Sequence, residues 1–324
     1  FPRSAASITV PARTKARILL DNDSLTTAYL SLLFSGGRGS QITVAYAEAL
    51  YMDTAPLSKG NRDEIEGKKF VGYEDIILPD GGSDRLFTSL WWRTWRYVQL
   101  TIETKDEPLE IGDVYGTFTA YPFERASTFD APGHPQLNRM LDIGWRTARL
   151  CANETYMDCP YYEQLQYFGD TRIQALITLY NTRDRYMARN AIEQGRQSIV
   201  SDGITMSRYP SGIHQFISSF SLYWICMGHD YWRYRGEEEY LKTSAGIPGS
   251  VVVVRRLSER GFLARIRAAL VFRRLGIEFR GGRAFPREGR QFRVPRPAVC
   301  HGTRSGRQHG GGFRHTLVRE TLPR

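Results

Sequence analysis

The sequence predicts a multidomain protein of the β plus all-α class. A β-sandwich domain is expected over residues 1–125 and the start of an all-helical domain over 126–242. Three observations carry this. Short runs before residue 125 alternate apolar and polar residues. Near Pro132-Gly133 the apolar spacing changes to that of a helix. After Lys242 the composition changes so abruptly that residues 243–324 read as part of neither domain.

The β elements come first. Gly36-Gly37 and Gly39 separate an apolar stretch, Tyr29 to Phe34, from a second one running Gln41 to Tyr51. Asp80-Gly81-Gly82 is a turn signal. Beyond it Arg96, Val98, Leu100 and Ile102 alternate with Tyr97, Gln99, Thr101 and Glu103, which is a strand period. Val114 to Tyr121 alternates in the same way. Short strands with turn signals between them are the pattern of a sandwich. The helical part begins with Leu137, Met140, Leu141, Gly144, Ala148 and Cys151 on one helix face. Helical patterns return at about 171–200 and 213–235. An irregular segment, roughly 153–170, lies between the first two. A loop of that length without structure of its own is often functional.

Composition narrows the function. The chain holds 18 Tyr, 16 Phe and 6 Trp, and aromatic faces suit stacking on sugars, although core packing uses the same residues. Trp91-Trp92 with Trp95 and Tyr97 could form a sugar platform, or be buried strand aromatics between sheets. Cys151, Cys159, Cys226 and Cys300 form neither a CxxC pair nor a metal-ligand spacing, so no zinc site, disulfide framework or cofactor is expected. His214 and His229 have no metal-ligand spacing either. No apolar run of ~18 residues marks a membrane span. The chain begins at Phe1 and is expected to lack part of its N-terminus, which leaves secreted, periplasmic and cytoplasmic locations open.

The formal net charge of +10 misleads. Residues 243–324 hold 18 Arg and four Glu but no Lys or Asp, a charge of +14, so residues 1–242 carry −4. The tail also lacks Asn, Tyr, Trp and Met. An arginine-rich nucleic-acid-binding tail is one reading. It sits poorly with the absence of Lys and with the run Val251 to Val254. Suitable codons for Gly249 to Gly261, read one nucleotide later, spell GVLSWFDAYLNE, and those for Ala269 to Phe279 spell HWCFVDWESS. Both recover the missing residue types. A single frameshift near Thr243, with a non-native tail after it, is the expectation. No nucleic-acid partner is then implied.

The chemistry is concentrated in Asp158-Cys159-Pro160-Tyr161-Tyr162-Glu163-Gln164-Leu165-Gln166-Tyr167-Phe168-Gly169-Asp170. Three carboxylates are interleaved with three Tyr and a Phe. Glycoside hydrolysis needs a protonated carboxylic acid beside the leaving oxygen and a second carboxylate across the sugar. Aromatic, partly desolvated surroundings and neighbouring carboxylates raise an acid's pKa, which suits Glu163 to the first role. The same residues could be solvated loop carboxylates, with Asp170 capping a helix that starts at Thr171.

This DCPYYEQLQYFGD stretch resembles the catalytic signature of the bacterial α-L-rhamnosidases of glycoside hydrolase family 78. Residues 35–51, 60–82 and 90–104 resemble the β domain that precedes the catalytic barrel there, and residues 207–232 resemble the barrel segment after the acid loop. The resemblance spans roughly residues 12–242, and HWCFVDW from the shifted frame resembles a downstream segment of the same barrel. It implies a β-sandwich followed by the first part of an (α/α)6 barrel, truncated. It implies an inverting hydrolase acting on rhamnose-containing oligosaccharides, polysaccharides or glycosides. Glu163 matches the general acid, and Asp158 and Asp170 match carboxylates that hold the rhamnose hydroxyls. Tyr167 stands where many relatives carry Trp. Arg208 and Trp224 are further pocket candidates, each equally able to be structural: Arg208 as a buried ion-pair partner, Trp224 as helix core. The general base comes from much later in the family barrel, and no position in 1–242 matches it. Glu259, Glu278, Glu288 and Glu320 fall in the tail and are not given that role. The chain alone is therefore expected to hold the acid half of the site and to be insoluble or inactive. A non-catalytic carbohydrate-binding protein, or an inactive fragment, is the alternative.

Overall fold

The structure is a computed structural model that describes residues 7–54, 57–237, 239–240, 277–280 and 283–286. Cys300, the Val251–Val254 run and the stretches with shifted-frame products, apart from Ile277–Phe279, lie outside them. The chain divides into two compact units. One holds the residues up to Ala120 together with Pro160–Tyr162, and the other runs from Tyr121 onward.

In the first unit the strands are β1 (Ile8–Val10), β2 (Lys15–Gly36), β3 (Gln41–Ala47), β4 (Asp53–Thr54), β5 (Leu57–Ser58), β6 (Tyr73–Ile77), β7 (Arg85–Thr88), β8 (Arg93–Glu103) and β9 (Leu109–Phe118). Seven of them form one antiparallel sheet in the order β1-β9-β2-β8-β3-β6, with β7 also on β2, while β4 and β5 pair separately. The 22-residue β2 explains this order. Lys15–Asp21 pairs with β8, and after an irregularity before Thr26 the later part, Ala28–Gly36, pairs with β9. A β-sandwich is the expectation; the structure has these strands on a single hydrogen-bonded path, and the pairing itself does not separate two layers.

The alternation read from β8 is visible in its burial. Val98, Leu100 and Ile102 are in the core with Leu30, Leu32, Ile42 and Val44. Gln99, Thr101 and Glu103 are only half-buried. Tyr97 breaks the pattern because the opposite face is covered locally too. It packs with Ala47 and Leu50, and its hydroxyl donates to the Arg62 carbonyl at 2.7 Å. Trp95 is buried as well, whereas Trp91 is exposed and stacks on buried Trp92. The Gly36-Gly37 turn needs its glycines. Both have positive φ, and a Cβ on Gly37 would lie 2.5 Å from Leu109 Cδ1.

The second unit contains α1 (Pro135–Leu150), α2 (Phe168–Asn181), α3 (Tyr186–Gln197) and α4 (Ser218–Arg235). Pro135 at the first turn supplies a preset φ for α1. Gly236 ends α4 in the left-handed region, the usual C-terminal stop. The predicted helix at 171–200 is two helices. Asn181-Thr182-Arg183-Asp184 interrupts it: the Thr182 hydroxyl donates back to the Thr178 carbonyl, and the Asp184 carboxylate accepts the Met187 N–H. Helices α2, α3 and α4 enclose a core that includes Phe168, Leu179, Ala191, Ile192, Trp224 and Tyr231. A pair between Arg172 and Asp230 at 3.0 Å joins α2 to α4. In α1 only Ala148 and Leu150 are buried. Leu137, Met140, Leu141 and Ile143 are exposed. Of the tail, Ile277–Arg280 (β10) and Arg283–Pro286 (β11) pair as an antiparallel hairpin.

Candidate active site

The carboxylate segment is held as a closed loop. The Asp158 N–H donates to the Leu165 carbonyl at 2.9 Å, and the Leu165 N–H donates to Asp158 Oδ1 at 3.1 Å. Asp158 thereby ties the ends of the loop that presents Glu163. Within it the Glu163 N–H donates to Cys159 Sγ at 3.3 Å. Gln164, the next residue, has φ +54. A non-glycine residue there costs about 1 kcal/mol or more, and such strain is commonly held at functional sites. The Glu163 side chain is exposed. Of the same segment, Pro160–Tyr162 belong to the sheet-bearing unit, where the Tyr161 hydroxyl donates to the Tyr46 carbonyl at 2.9 Å.

The far limb of the loop is paired. Tyr209 N–H donates to the Gln166 carbonyl at 3.2 Å, and Phe168 N–H donates to the Ser207 carbonyl at 2.9 Å. This ladder brings Ser207–Tyr209 beside Gln166–Phe168. Buried Gln166 adds side-chain bonds to Gln194 and to the Tyr209 carbonyl, the latter at 2.8 Å. Gly169 lets the start of α2 approach α4, since a Cβ there would lie 2.6 Å from Phe220 Cε1.

Arg208 and Tyr167 face each other across the ladder. Arg208 Nη1 donates to the Tyr167 hydroxyl at 2.7 Å, and the guanidinium carbon lies 5.4 Å from the ring centroid. The Glu163 carboxylate also acts on the Tyr167 hydroxyl. The hydroxyl's pKa is pushed up by desolvation first and by Glu163 next, with Arg208 opposing. Asp158 is likewise raised, chiefly by burial, with the Glu163 charge adding and the Leu165 and Cys159 N–H groups opposing. An open cleft of about 720 Å³ lies alongside, lined by Leu165, Arg208, Tyr209, Pro210, Ser211 and Ile213, among others. The Tyr209-Pro210 peptide in its wall is cis.

Four of the six expected residues lie on this loop and its ladder: Asp158 and Glu163 on the closed loop, and Tyr167 paired with Arg208. The other two differ. Asp170 is exposed in the first turn of α2, which starts at Phe168 and not at Thr171, so the capping position belongs to Tyr167. Trp224 is fully buried, donates from Nε1 to the Ile192 carbonyl at 3.0 Å, and packs on Gly195. Its large indole packs between α3 and α4, in keeping with the helix-core alternative named for it. Arg208 has no ion-pair partner among the described residues, so the buried-pair alternative for it is not what the structure displays. Sequence reasoning missed Gln166, Cys159 and Ser207. A polar Gln between Leu165 and Tyr167 gives no sequence signal of burial; in the structure Gln166 and Phe168 are buried while Leu165 and Tyr167 are half-buried.

Cys151, Cys159 and Cys226 are free thiols. Among the described residues, no group of three or more His, Cys, Asp or Glu side chains is placed to hold a metal ion. No described helix is long and apolar enough to cross a membrane.

The antiparallel sheet and the helices that follow it are similar in fold to rhamnosidase structures. Residues 124–244 match the family model described as the bacterial alpha-L-rhamnosidase 6 hairpin glycosidase domain. The chain thus bears a partial resemblance to the alpha-L-rhamnosidases of glycoside hydrolase family 78. Among solved structures it is similar to the family 78 rhamnosidase of Bacillus sp. GL1, at 18% identity and TM-score 0.66 over 78% of this chain and 25% of that one. It is similar to the rhamnosidase from Klebsiella oxytoca with rhamnose bound, at 16% identity and TM-score 0.57 over 78% and 49%. The alpha-L-rhamnosidase from Dictyoglumus thermophilum matches at 16% identity and TM-score 0.52 over 77% and 28%. At these identities the likeness is one of fold, and the chain spans from a quarter to about half of the length of these proteins. No curated protein matches the chain.

Proposed function

We propose that this chain carries the general-acid side of an inverting glycoside hydrolase that releases terminal α-L-rhamnose from glycosides or polysaccharides. The observation that carries the reading is the closed Asp158–Leu165 loop, which holds an exposed Glu163 beside Asp158 and Tyr167. In this reading Glu163 protonates the glycosidic oxygen. Asp158 and Asp170 accept hydrogen bonds from sugar hydroxyls, and Tyr167 offers a ring face to the sugar. Helices α1–α4 are the opening helices of an (α/α)6 barrel, and the sheet is its preceding sandwich domain. The general base, which activates water on the opposite face, belongs to a later part of that barrel. Residues 243–324 are read in a shifted frame and do not supply it. The rhamnose seen in the Klebsiella oxytoca protein supports the sugar assignment by likeness of fold.

The test is sequencing of the source DNA through the codon for Thr243, followed by assay of the protein in the restored frame. Hydrolysis of p-nitrophenyl α-L-rhamnoside is expected, with Glu163→Gln lowering kcat by about 10²–10⁴-fold. An unchanged rate in the Gln variant would remove Glu163 from the acid role. Release of p-nitrophenol by the 324-residue chain itself would refute the half-site.

A further inference from the structure

The three residues that precede Glu163 are each tied to a residue far away in the sequence. The Pro160 carbonyl accepts from the Thr94 hydroxyl at 2.6 Å. The Tyr161 hydroxyl donates to the Tyr46 carbonyl at 2.9 Å. The Tyr162 hydroxyl accepts from Lys59 Nζ at 2.5 Å and shares a hydrogen bond with the Tyr51 hydroxyl at 2.7 Å. Thr94 lies on β8 and Tyr46 on β3, while Tyr51 follows β3 and Lys59 follows β5. All of these residues, Pro160–Tyr162 included, belong to one compact unit.

Lys59 is the centre of the last tie. Its ammonium also pairs with Glu48, and the two side chains are only 17% and 14% exposed. It lies 4.8 Å from the Tyr162 ring centroid and 5.2 Å from that of Tyr51. A hydrogen bond from a charged donor is stronger than a neutral one, and the two ring faces add to it. The clamp therefore holds an exposed tyrosine that would otherwise exchange rotamers. Beyond Glu163 the next tie is the Leu165 N–H on Asp158 Oδ1 at 3.1 Å. Glu163 and Gln164 stand between these two ties. The positive φ of Gln164 is a conformation that persists only when its surroundings hold it.

We propose that Lys59 is a positioning residue for the acid: with Glu48 and Tyr51 it clamps the Tyr162 hydroxyl and so fixes the backbone from which Glu163 projects. The catalytic meaning of the clamp rests on Glu163 as the general acid, and its mechanical content does not. A small displacement of a proton donor is costly, since about 1 Å can lose about 10²-fold in rate. The clamp needs a hydroxyl at position 162 and a cation at position 59. An aromatic ring alone does not suffice.

The experiment is amide hydrogen exchange of the full 324-residue chain, read by NMR. The Glu163 N–H rests on a sulfur, a weak acceptor, so its exchange reports local opening of this stretch. Tyr162→Phe keeps the ring and deletes the hydroxyl, and exchange at Glu163 is expected to quicken about fivefold. Lys59→Met should do the same, Lys59→Arg should restore much of the parent rate, and the Tyr162→Phe/Lys59→Met double variant should add little to either change alone. Amides of β8 and α2 should keep their parent rates. Glu163 exchange unmoved in both single variants overturns the clamp, as does a quickening shared equally by β8 and α2, which marks a general packing defect. In the restored frame, kcat should fall in Tyr162→Phe with KM held. The fall should be larger for methyl α-L-rhamnoside, about tenfold, than for the p-nitrophenyl glycoside, whose leaving group needs less protonation. Equal falls for both substrates overturn the positioning of an acid. The outcomes also separate the two proposals. Quickened exchange in a protein whose restored frame cleaves no rhamnoside keeps the mechanical clamp and removes the rhamnosidase reading. Unmoved exchange with Glu163-dependent cleavage does the reverse.

Discussion

At the residue scale, carboxylates a few positions apart meet different surroundings. Asp158 spends its carboxylate on closing a loop, and burial raises its pKa. Asp170 stands exposed in the first turn of α2, where a negative charge is favoured by the helix dipole. The raised Asp158 has a signed consequence. Between the ordinary Asp value of 3.8 and its higher value in the fold, the folded protein binds more protons than the unfolded chain. Stability therefore falls as pH rises through that window. Asp158→Asn, which can still accept the Leu165 N–H, is expected to flatten this slope in urea melts run from pH 3 to pH 6, and an unaltered slope would count against the assignment. The motif made the carboxylates and Tyr167 legible in the sequence. What was not legible is that Arg208 would face Tyr167, because a pairing across 41 residues leaves no local spacing signal.

At the element scale, small residues set how closely the helices approach. Gly169 in the acid motif admits Phe220 of α4, and Gly195 of α3 admits Trp224. A Cβ at Gly195 would lie 2.2 Å from the Trp224 indole nitrogen, a clash with a fully buried ring that cannot swing away. Gly195→Ala is expected to cost about 1–3 kcal/mol in equilibrium unfolding, and Gly169→Ala a similar amount. Unfolding curves that overlay the parent would contradict this packing. Trp224→Phe should cost about 1 kcal/mol or more through the lost bond to the Ile192 carbonyl, without altering sugar binding. Strand existence and the switch to helices were readable from periodicity because a half-buried face demands it. The break at Asn181–Asp184 was masked, since residues on both sides keep apolar spacing at helical intervals. The burial of Tyr97 was hidden for a related reason: the small Ala47-Leu50-Tyr97 cluster covers a face that alternation assigns to solvent.

At the scale of the whole molecule, the sheet unit and the helical unit each carry their own core. The acidic body and the arginine-rich tail are chemically distinct, with −4 on residues 1–242 and +14 beyond. If the tail is non-native, deleting residues 243–324 should leave Tm unchanged and abolish any salt-dependent binding to nucleic acid. A large fall in Tm would show that the tail contributes to the fold. The β-then-helix order was legible because each class of element imposes its own period. The seven-stranded path was not, since β2 serves two sets of neighbours and register is a long-range property.

The central claim is that the Asp158–Asp170 segment is the acid side of a rhamnose site. Its most direct test is an amide NMR titration of the full chain with L-rhamnose, using D-galactose as the control. Shifts confined to Asp158–Asp170 and Ser207–Tyr209 are predicted for L-rhamnose, with weaker ones for D-galactose and loss of the response in Asp170→Asn. Equal responses to both sugars, or an L-rhamnose response elsewhere with none in the loop, would contradict it.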